Sequence, residues 1–288
     1  MLLRPPCRRN ILRPFAVQAL TGSYMEWLLG YLAIGAIVGF FAGLLGIGGG
    51  AVMVPLLVML FDAQGLPREH VLHLAVGTSM STILFTALSS IRAHSQRGTL
   101  RWEIPLGLTP GILVGGLAGS LFAGTISTLT LAIGFCVIIY VAGINILLDR
   151  QPKPGRELPG PLGLSVAGFI FGGVSSLVAL GGAFMTVPFM LYCNVPMRAA
   201  VGAAAVIGFP IALAGSVGYL YAGWSQTNLP EWSFGYVYLP AMAGIVIASV
   251  LVAPIGAAAA HRWPVKWLKR IFGVLLLVFA TRMVWTLS

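Results

Sequence analysis

The chain has 288 residues, of which 58% are hydrophobic and only 8% are charged. Several apolar runs are long enough to cross a hydrocarbon core of about 30 Å, so this composition excludes a soluble domain and indicates an integral membrane protein. The formal net charge of +10 resides mainly in short loops between the apolar runs. That placement favours a role in membrane orientation and argues against nucleic-acid binding.

The predicted organisation starts with a basic leader, residues 1–24. A first membrane repeat (25–148), a cytoplasmic linker (149–160) and a second membrane repeat (161–288) follow it. The leader contains four arginines and no acidic residue, a composition typical of a transit peptide. A second interpretation makes Met25 the natural start, because the first apolar segment begins directly after it.

Ten apolar segments follow the leader, five in each half. In the first half they cover residues 27–45, 51–61, 71–91, 104–123 and 129–148. In the second half they cover residues 161–180, 183–193, 199–221, 234–260 and 268–287. The sequence therefore predicts an all-α fold, a polytopic membrane helical bundle.

The second segment of each half is too short for an ordinary membrane span. About eleven residues of helix rise only ~17 Å, roughly half the hydrocarbon core. Each is therefore predicted to be a half-helix or a re-entrant piece. If each short segment counts as a membrane segment of its own, the chain has ten. If each short segment and the segment before it together cross the membrane only once, the chain has eight and the two halves are parallel.

A glycine-rich motif precedes both short segments. Its residues are Gly46, Gly48, Gly49 and Gly50 in the first half and Gly181, Gly182 and Ala183 in the second, with Pro55 and Pro188 at matching positions after them. A duplicated membrane unit with a helix interrupted at the same place in each half is typical of secondary transporters. Because lipid-exposed broken backbone is not viable, such breaks must be buried in protein or line a cavity.

Loop charges predict how the two halves are oriented. The loop after the third segment contains Arg92, Arg97 and Arg101, whereas the equivalent loop of the second half, 222–233, contains no Lys or Arg. The loops after the fourth segments show the reverse pattern. Because positive loops face the cytoplasm, equivalent loops should lie on opposite sides, and the halves should form inverted five-segment repeats.

Glycines recur at every fourth position in the first and fourth segments. These stripes are Gly35, Gly39 and Gly43, and Gly107, Gly111, Gly115 and Gly119. Such stripes let neighbouring helix backbones approach closely in lipid. Two interpretations stay open, packing within the chain and packing between the subunits of a homodimer.

The core offers little ionisable chemistry. All seven acidic residues fall at segment ends or in loops, so the mid-membrane region lacks the carboxylates that bind protons or sodium ions in pumps. Two helix starts, with unpaired N–H groups and positive dipole ends, would instead bind an anion without any charged side chain. The predicted substrate-binding residues are Gly46, Gly48, Gly49, Gly50, Gly181, Gly182 and Ala183, with the hydroxyls of Thr78 and Ser79. Pro55 and Pro188 are predicted to support the helix breaks by removing a helical hydrogen bond.

Motifs for other chemistry are missing from the sequence. It contains no GxxxxGK[ST], HExxH or GxSxG pattern, and its GIGGG lacks the spacing of a dinucleotide fingerprint. Cys136 and Cys193 lie in or beside apolar segments, and none of the three cysteines forms a CxxC pair or has a nearby His at metal-ligand spacing. We therefore expect no enzymatic activity, no cofactor and no metal site. His73, near the start of the third segment, is expected at the membrane interface.

Residues 39–50 (GFFAGLLGIGGG) and 75–79 (AVGTS) resemble the TauE/SafE sulfite exporter family. Pro55 fits the same pattern, as does the degenerate second motif in which Ala183 replaces the third glycine. The resemblance covers residues 25–288. It implies a multi-pass transporter of the plasma membrane, the bacterial inner membrane, for small anions such as sulfite, organosulfonates or carboxylates.

The predicted function is thus secondary transport of a small anion by alternating access. The expected partners are the anionic substrate and the lipid bilayer, with no nucleic acid. A membrane partner or sensor that transports nothing is an alternative, and it predicts no solute flux. An anion channel is a closer alternative, which counterflow and saturation distinguish from a carrier.

Overall fold

A computed structural model describes residues 22–45, 49–96, 102–148, 155–260 and 265–287. The helices of the first half are α1 (Gly22–Leu45), α2 (Gly50–Ala63), α3 (Val71–Gln96), α4 (Glu103–Thr125) and α5 (Thr128–Leu148). Those of the second half are α6 (Pro161–Val178), α7 (Ala183–Tyr192), α8 (Met197–Gly223), α9 (Leu239–Ala260) and α10 (Val265–Leu287). A small antiparallel hairpin, β1 (Ser233–Phe234) and β2 (Val237–Tyr238), connects α8 to α9.

The chain is an all-α, multi-pass membrane protein, which confirms the predicted class. Within the described ranges, six helices are long and apolar enough to cross a membrane, namely α3, α4, α5, α6, α8 and α9. The outer face of α5 is apolar and more than half exposed at Leu129, Ile133, Val137 and Val141. Residues four apart share one helix face, so this stripe is the surface that lipid would cover.

The ninth segment begins later than the sequence predicted. Its expected start, Phe234, belongs to the hairpin, and α9 begins only at Leu239. Gly235 turns the chain between the two strands with a φ of 51°, a left-handed conformation that glycine adopts at no steric cost. The side chains just before α9 are apolar, so they lengthen the hydrophobic run without lengthening the helix.

Both short helices double back along the helix that precedes them. The hydroxyl of Tyr31 in α1 donates a hydrogen bond to the Gln64 side chain just after α2, at 2.9 Å. In the second half, the backbone N–H of Gly155 before α6 donates to the carbonyl of Tyr192 at the end of α7, at 3.1 Å. Each short helix therefore returns to the side of the bundle where its predecessor started.

The bundle has two ends, which we name after their connections. The hairpin face carries β1 and β2 and the connections α2–α3 and α4–α5, and the N–H of Tyr238 there donates to Thr78 Oγ1 at 3.0 Å. The linker face carries residues 155–160 and the connection α7–α8, where the Asn194 side-chain amide donates to the Arg156 carbonyl at 3.3 Å. Arg92, near the end of α3, is exposed toward this linker face.

Helices of one half pack against helices of the other half. The first helix of one half packs on the fourth helix of the other, as α1 on α9 and α6 on α4. The third helices, α3 and α8, pack on each other, and so do the fifth helices, α5 and α10. This pattern is the packing that a two-fold relation between the halves would produce.

The third helices run in opposite directions. Gly208 of α8 lies beside Ala87 of α3, whereas Gly215, further along α8, lies beside Met80, which is earlier in α3. Equivalent helices that cross the membrane antiparallel are what inverted halves require. Inversion of the repeats stays a prediction, and this direction supports it.

The glycine stripes lie at helix contacts within the chain. A Cβ atom added to Gly35 of α1 would stand 2.7 Å from the carbonyl oxygen of Ile245 in α9. One added to Gly39 would stand 2.6 Å from the carbonyl oxygen of Ser249, also in α9. In α4, a Cβ atom added to Gly111 or Gly115 would stand even closer to a carbonyl oxygen of α6, that of Ser165 or Phe169 respectively. Both stripes are thus occupied by intramolecular packing, so neither provides evidence for a homodimer.

We expect Gly39→Leu to separate α1 from α9 and to lower thermal stability in detergent. Its side chain would collide with backbone, and overpacking of this kind costs about 1–3 kcal/mol or more. Gly134→Leu in α5 is the matched control, because nothing lies within 4 Å of a Cβ at that position. Fluorescence-detected size exclusion after heating measures the difference, and equal melting of both variants would contradict this packing.

Candidate substrate site

The first helix break is buried. Gly49 directly precedes α2 and has a φ of 62°, in the left-handed region that only glycine occupies routinely. A Cβ on Gly49 would also stand 2.6 Å from Val38 Cγ1. The carbonyl of Gly49 then accepts hydrogen bonds from the N–H groups of Val52 and Met53, both at 3.2 Å, which starts the helix. Gly46 and Gly48 lie outside the described residues.

The second break is built differently although its sequence is similar. Its left-handed residue is Ala179, with a φ of 48°, and it ends α6. Gly182, the match of Gly49, has ordinary right-handed angles and caps α7. The hydroxyl of Thr186 donates to the Gly182 carbonyl at 2.5 Å. The two copies are therefore not conformational equals.

The two breaks touch each other near the centre of the bundle. A Cβ on Gly50 would fall onto the carbonyl oxygen of Ala179 and would stand 2.7 Å from Ile83 Cδ1. Gly50 and Ala179 are both buried, as is Ile83 on α3. The start of α2 is consequently closed off by the second break and by α3.

A small cavity of about 30 Å³ lies at the second break. Its lining residues are Ala42, Ile83, Thr86, Ala87, Ser90, Gly181, Gly182, Ala183, Ala204, Ala205 and Gly208. A cavity of this size has room for about one or two water molecules. An oxyanion of four heavy atoms would need the walls to move apart. The predicted residues Gly181, Gly182 and Ala183 thus share one cavity, whereas Gly49 and Gly50 are not part of its lining.

Two hydroxyl groups at the cavity were missed by the sequence analysis. Thr86 and Ser90 line it from α3, one and two turns beyond Thr82. The hydroxyl of Thr86 donates to the Ile83 carbonyl at 3.1 Å, so its oxygen can still accept or exchange a hydrogen bond. The available signal was the four-residue spacing of Thr78, Thr82, Thr86 and Ser90, which puts them on one helix face.

Thr78 and Ser79 lie away from this cavity, nearer to the hairpin face. The Thr78 hydroxyl accepts the Tyr238 N–H and so fastens the hairpin to α3. Ser79 is fully buried, and its hydroxyl has no hydrogen-bond partner among the described residues. The two predicted hydroxyls therefore lie at a different level of α3 from the cavity, which is lined by the hydroxyls of Thr86 and Ser90 and by the second break.

The two prolines lie inside the short helices at matching positions. Pro55 is buried in α2 and Pro188 is exposed in α7. Each removes one backbone N–H from its helix, so the carbonyls of Ala51 and Phe184, four residues earlier, lose their usual partner. Ala51 and Phe184 lie in the first turn of their helices, directly after the breaks.

The cavity has no charged lining. Its polar groups are the Thr86 and Ser90 hydroxyls and the backbone at the start of α7. A helix start carries a partial positive charge, roughly half an elementary charge, and presents N–H donors. An anion is the ligand that such a start can hold without a counter-ion.

Comparison with known proteins gives a consistent result. The model of the family described as sulfite exporter TauE/SafE matches residues 31–283. A probable membrane transporter protein of Haemophilus influenzae is 33% identical over 253 residues, covering 88% of this chain and 96% of that protein. The probable membrane transporter proteins YunE of Bacillus subtilis and MJ0441 of Methanocaldococcus jannaschii are 23% and 27% identical, covering 88% and 78% of this chain and 96% and 80% of their own lengths. No solved structure matches the chain.

Proposed function

The chain belongs to the sulfite exporter TauE/SafE family, and we propose that it is a secondary transporter of small anions in the plasma membrane. The substrate class is sulfite, organosulfonates or related carboxylates. The relatives are named only as probable membrane transporters, so they support transport in general and no particular solute.

The observation that carries this proposal is the cavity at the start of α7. Helix-start backbone at Gly182 and Ala183 and the hydroxyls of Thr86 and Ser90 converge there. Donors without a fixed cation suit a substrate that must be released again, because uncharged donors bind an anion less strongly than a cationic side chain does. A carrier needs this moderate affinity on both sides of the membrane.

Alternating access would proceed by movement of the two halves along α3 and α8. The cavity-lining residues of α8, Ala204, Ala205 and Gly208, are small, so this helix can shift against α3 with few side-chain collisions. Toward the hairpin face, Met80 lies against Gly215 between the two helices. We infer that the described conformation is closed toward the hairpin face and that the cavity widens toward the linker face to admit substrate.

Counterflow in proteoliposomes tests the proposal. Vesicles loaded with unlabelled sulfite should accumulate labelled sulfite transiently, and the rate should saturate with concentration. Competing sulfonates and carboxylates then rank the substrates. Flux that grows linearly with concentration and shows no counterflow would indicate a channel. Folded protein without flux of any tested anion would favour a partner or sensor protein.

A further inference from the structure

A second pocket lies at the hairpin face, away from the candidate substrate site. Its volume is about 440 Å³. Its lining residues are Glu69, His70, His73, Gly124, Thr125, Ile126, Ser127, Thr128, Leu129, Gln226 and Tyr236. The proposed function leaves this pocket unexplained, although two of the four histidines of the chain are part of it.

His73 is unusual among the buried side chains. It is only 3% exposed, and it is the only histidine, lysine, arginine or acidic residue in the buried set that the structure describes. Histidine is the side chain that ordinarily changes charge near neutral pH. Ionisable groups inside a membrane protein are costly and by default indicate a functional site. The sequence predicts His73 at the membrane interface, and the structure places it in the first turn of α3, with its side chain buried beneath the pocket.

Both ring nitrogens of His73 face hydrogen-bond acceptors. Nε2 lies 3.0 Å from the carbonyl oxygen of Ala123 at the end of α4. Nδ1 lies 3.3 Å from Thr128 Oγ1 at the start of α5. The single hydroxyl proton of Thr128 is donated to the backbone carbonyl of Glu69, so its oxygen can only accept from His73.

This geometry fits an imidazolium better than a neutral ring. A neutral imidazole carries one N–H and would satisfy Ala123 but would turn a lone pair toward the Thr128 oxygen. A ring protonated at both nitrogens donates to both partners. Its added proton comes from water in the pocket and returns there when the ring is neutralised.

Burial opposes a positive charge on His73, and two neighbouring groups, Tyr236 and Glu69, would act in its favour. The ring of Tyr236 is stacked on His73 with centroids 5.0 Å apart and an interplanar angle of 28°, a position in which an aromatic face attracts a cation. Burial raises the pKa of the Tyr236 phenol, so this group stays neutral. Glu69 lines the same pocket from the α2–α3 connection. Of the titratable groups described around His73, only His70, one turn earlier, could add an opposing positive charge.

We propose that His73 binds a proton from the hairpin face and that this proton is coupled to anion movement, an inference that rests on the proposed transport function. α3 links the two sites, because it carries His73 at its start and Thr86 and Ser90 at the cavity. The protonated ring connects α3 to α4 and α5 by two hydrogen bonds. Loss of the proton removes the hydrogen bond to Thr128 and allows α3 to shift.

The first measurement is a nitrogen-15 NMR titration of histidine-labelled full-length protein in nanodiscs. A His73→Gln spectrum assigns the His73 signals, and the titration runs from about pH 5 to pH 8, where histidine changes charge. We expect an imidazolium signature at both His73 nitrogens at the acid end and its loss at the alkaline end. A ring that stays neutral down to the acid limit overturns the proton site, whether or not the protein transports anything.

The second measurement is counterflow of a labelled organosulfonate, whose charge does not change between about pH 5 and pH 8, across the same pH range. Above its midpoint the wild-type rate should fall about tenfold per pH unit, as expected for one essential protonated group. His73→Gln should lose this dependence, whereas the matched variant His70→Gln should keep it, because its Nδ1 has only a 3.5 Å contact with Tyr236. Thr128→Val keeps the histidine but removes the Nδ1 partner, so the midpoint should move to lower pH. A His73→Gln profile identical to wild type overturns the coupling, and absence of counterflow in every variant overturns the transport function while the NMR result still decides the proton site.

Discussion

Gly50→Ala should reduce counterflow by more than tenfold, although it adds only one methyl group. The new Cβ would fall onto the Ala179 carbonyl oxygen, which is backbone and cannot turn away, and would stand 2.7 Å from Ile83 Cδ1. The two breaks would have to separate, at a cost of about 1–3 kcal/mol. That separation would disturb the geometry that holds α2 and α7 against each other. Initial counterflow rates, normalised to protein inserted in the vesicles, measure the effect.

Gly134→Ala provides the comparison for that experiment. It makes the same change in α5, where a new Cβ meets nothing within 4 Å. We expect wild-type flux and slightly higher stability, since alanine suits a helix interior better than glycine by about 1 kcal/mol. If Gly50→Ala transports as fast as Gly134→Ala, contact between the two breaks is not required for transport.

Gly208→Leu should abolish flux and leave the fold intact. The nearest heavy atom to a Cβ at this position is Ala87 Cβ at 4.0 Å, an ordinary contact, so the side chain can be accommodated. The three carbons beyond Cβ would fill a cavity of only about 30 Å³. Substrate could then no longer reach Gly182 and Thr86. Counterflow and a binding assay with labelled sulfite, by scintillation proximity, should both lose their signal.

The smaller substitution Gly208→Ala should cause a weaker loss of transport for the same reason. Its single methyl group narrows the cavity without filling it, so a raised half-saturation concentration is expected with a smaller change in maximal rate. Size exclusion of both variants verifies the fold. Full binding of sulfite by Gly208→Leu would place the substrate elsewhere and would overturn the cavity as its site.

Much of the membrane architecture could be predicted from the sequence, because it depends on local patterns. Long apolar runs, the short segments after the glycine motifs and the four-residue glycine spacing are all visible in the chain. The hairpin was missed for a physical reason. The hairpin residues Phe234, Val237 and Tyr238 are as apolar as the first residues of a membrane helix. Only the pairing of the two strands on either side of Gly235 distinguishes them from a helix.

The candidate site was predictable only in part, since it depends on tertiary register. The second break lines the cavity, but the hydroxyls beside it are Thr86 and Ser90 and not Thr78 and Ser79. Which turn of α3 reaches the break is decided by how α3 lies against α8 and by how far α7 doubles back. No local motif encodes that alignment. The closure of Gly50 by Ala179 likewise joins residues far apart in the chain.

In the proposed transport cycle, the hairpin would favour the conformation that is closed on its own face. The connection that contains it covers residues 224–238 of the second half, whereas the equivalent connection of the first half, residues 97–102, is much shorter. Opening the hairpin face by movement of the two halves would break the bond from Tyr238 N–H to Thr78 of the first half. The bond from Tyr236 N–H to the Tyr219 carbonyl lies within the second half and would persist. At about 1 kcal/mol, the bond to Thr78 would favour the conformation closed on that face by roughly fivefold. Such a bias would make the apparent affinity for substrate different on the two sides of the membrane, while the gradients alone would decide the direction of net flow.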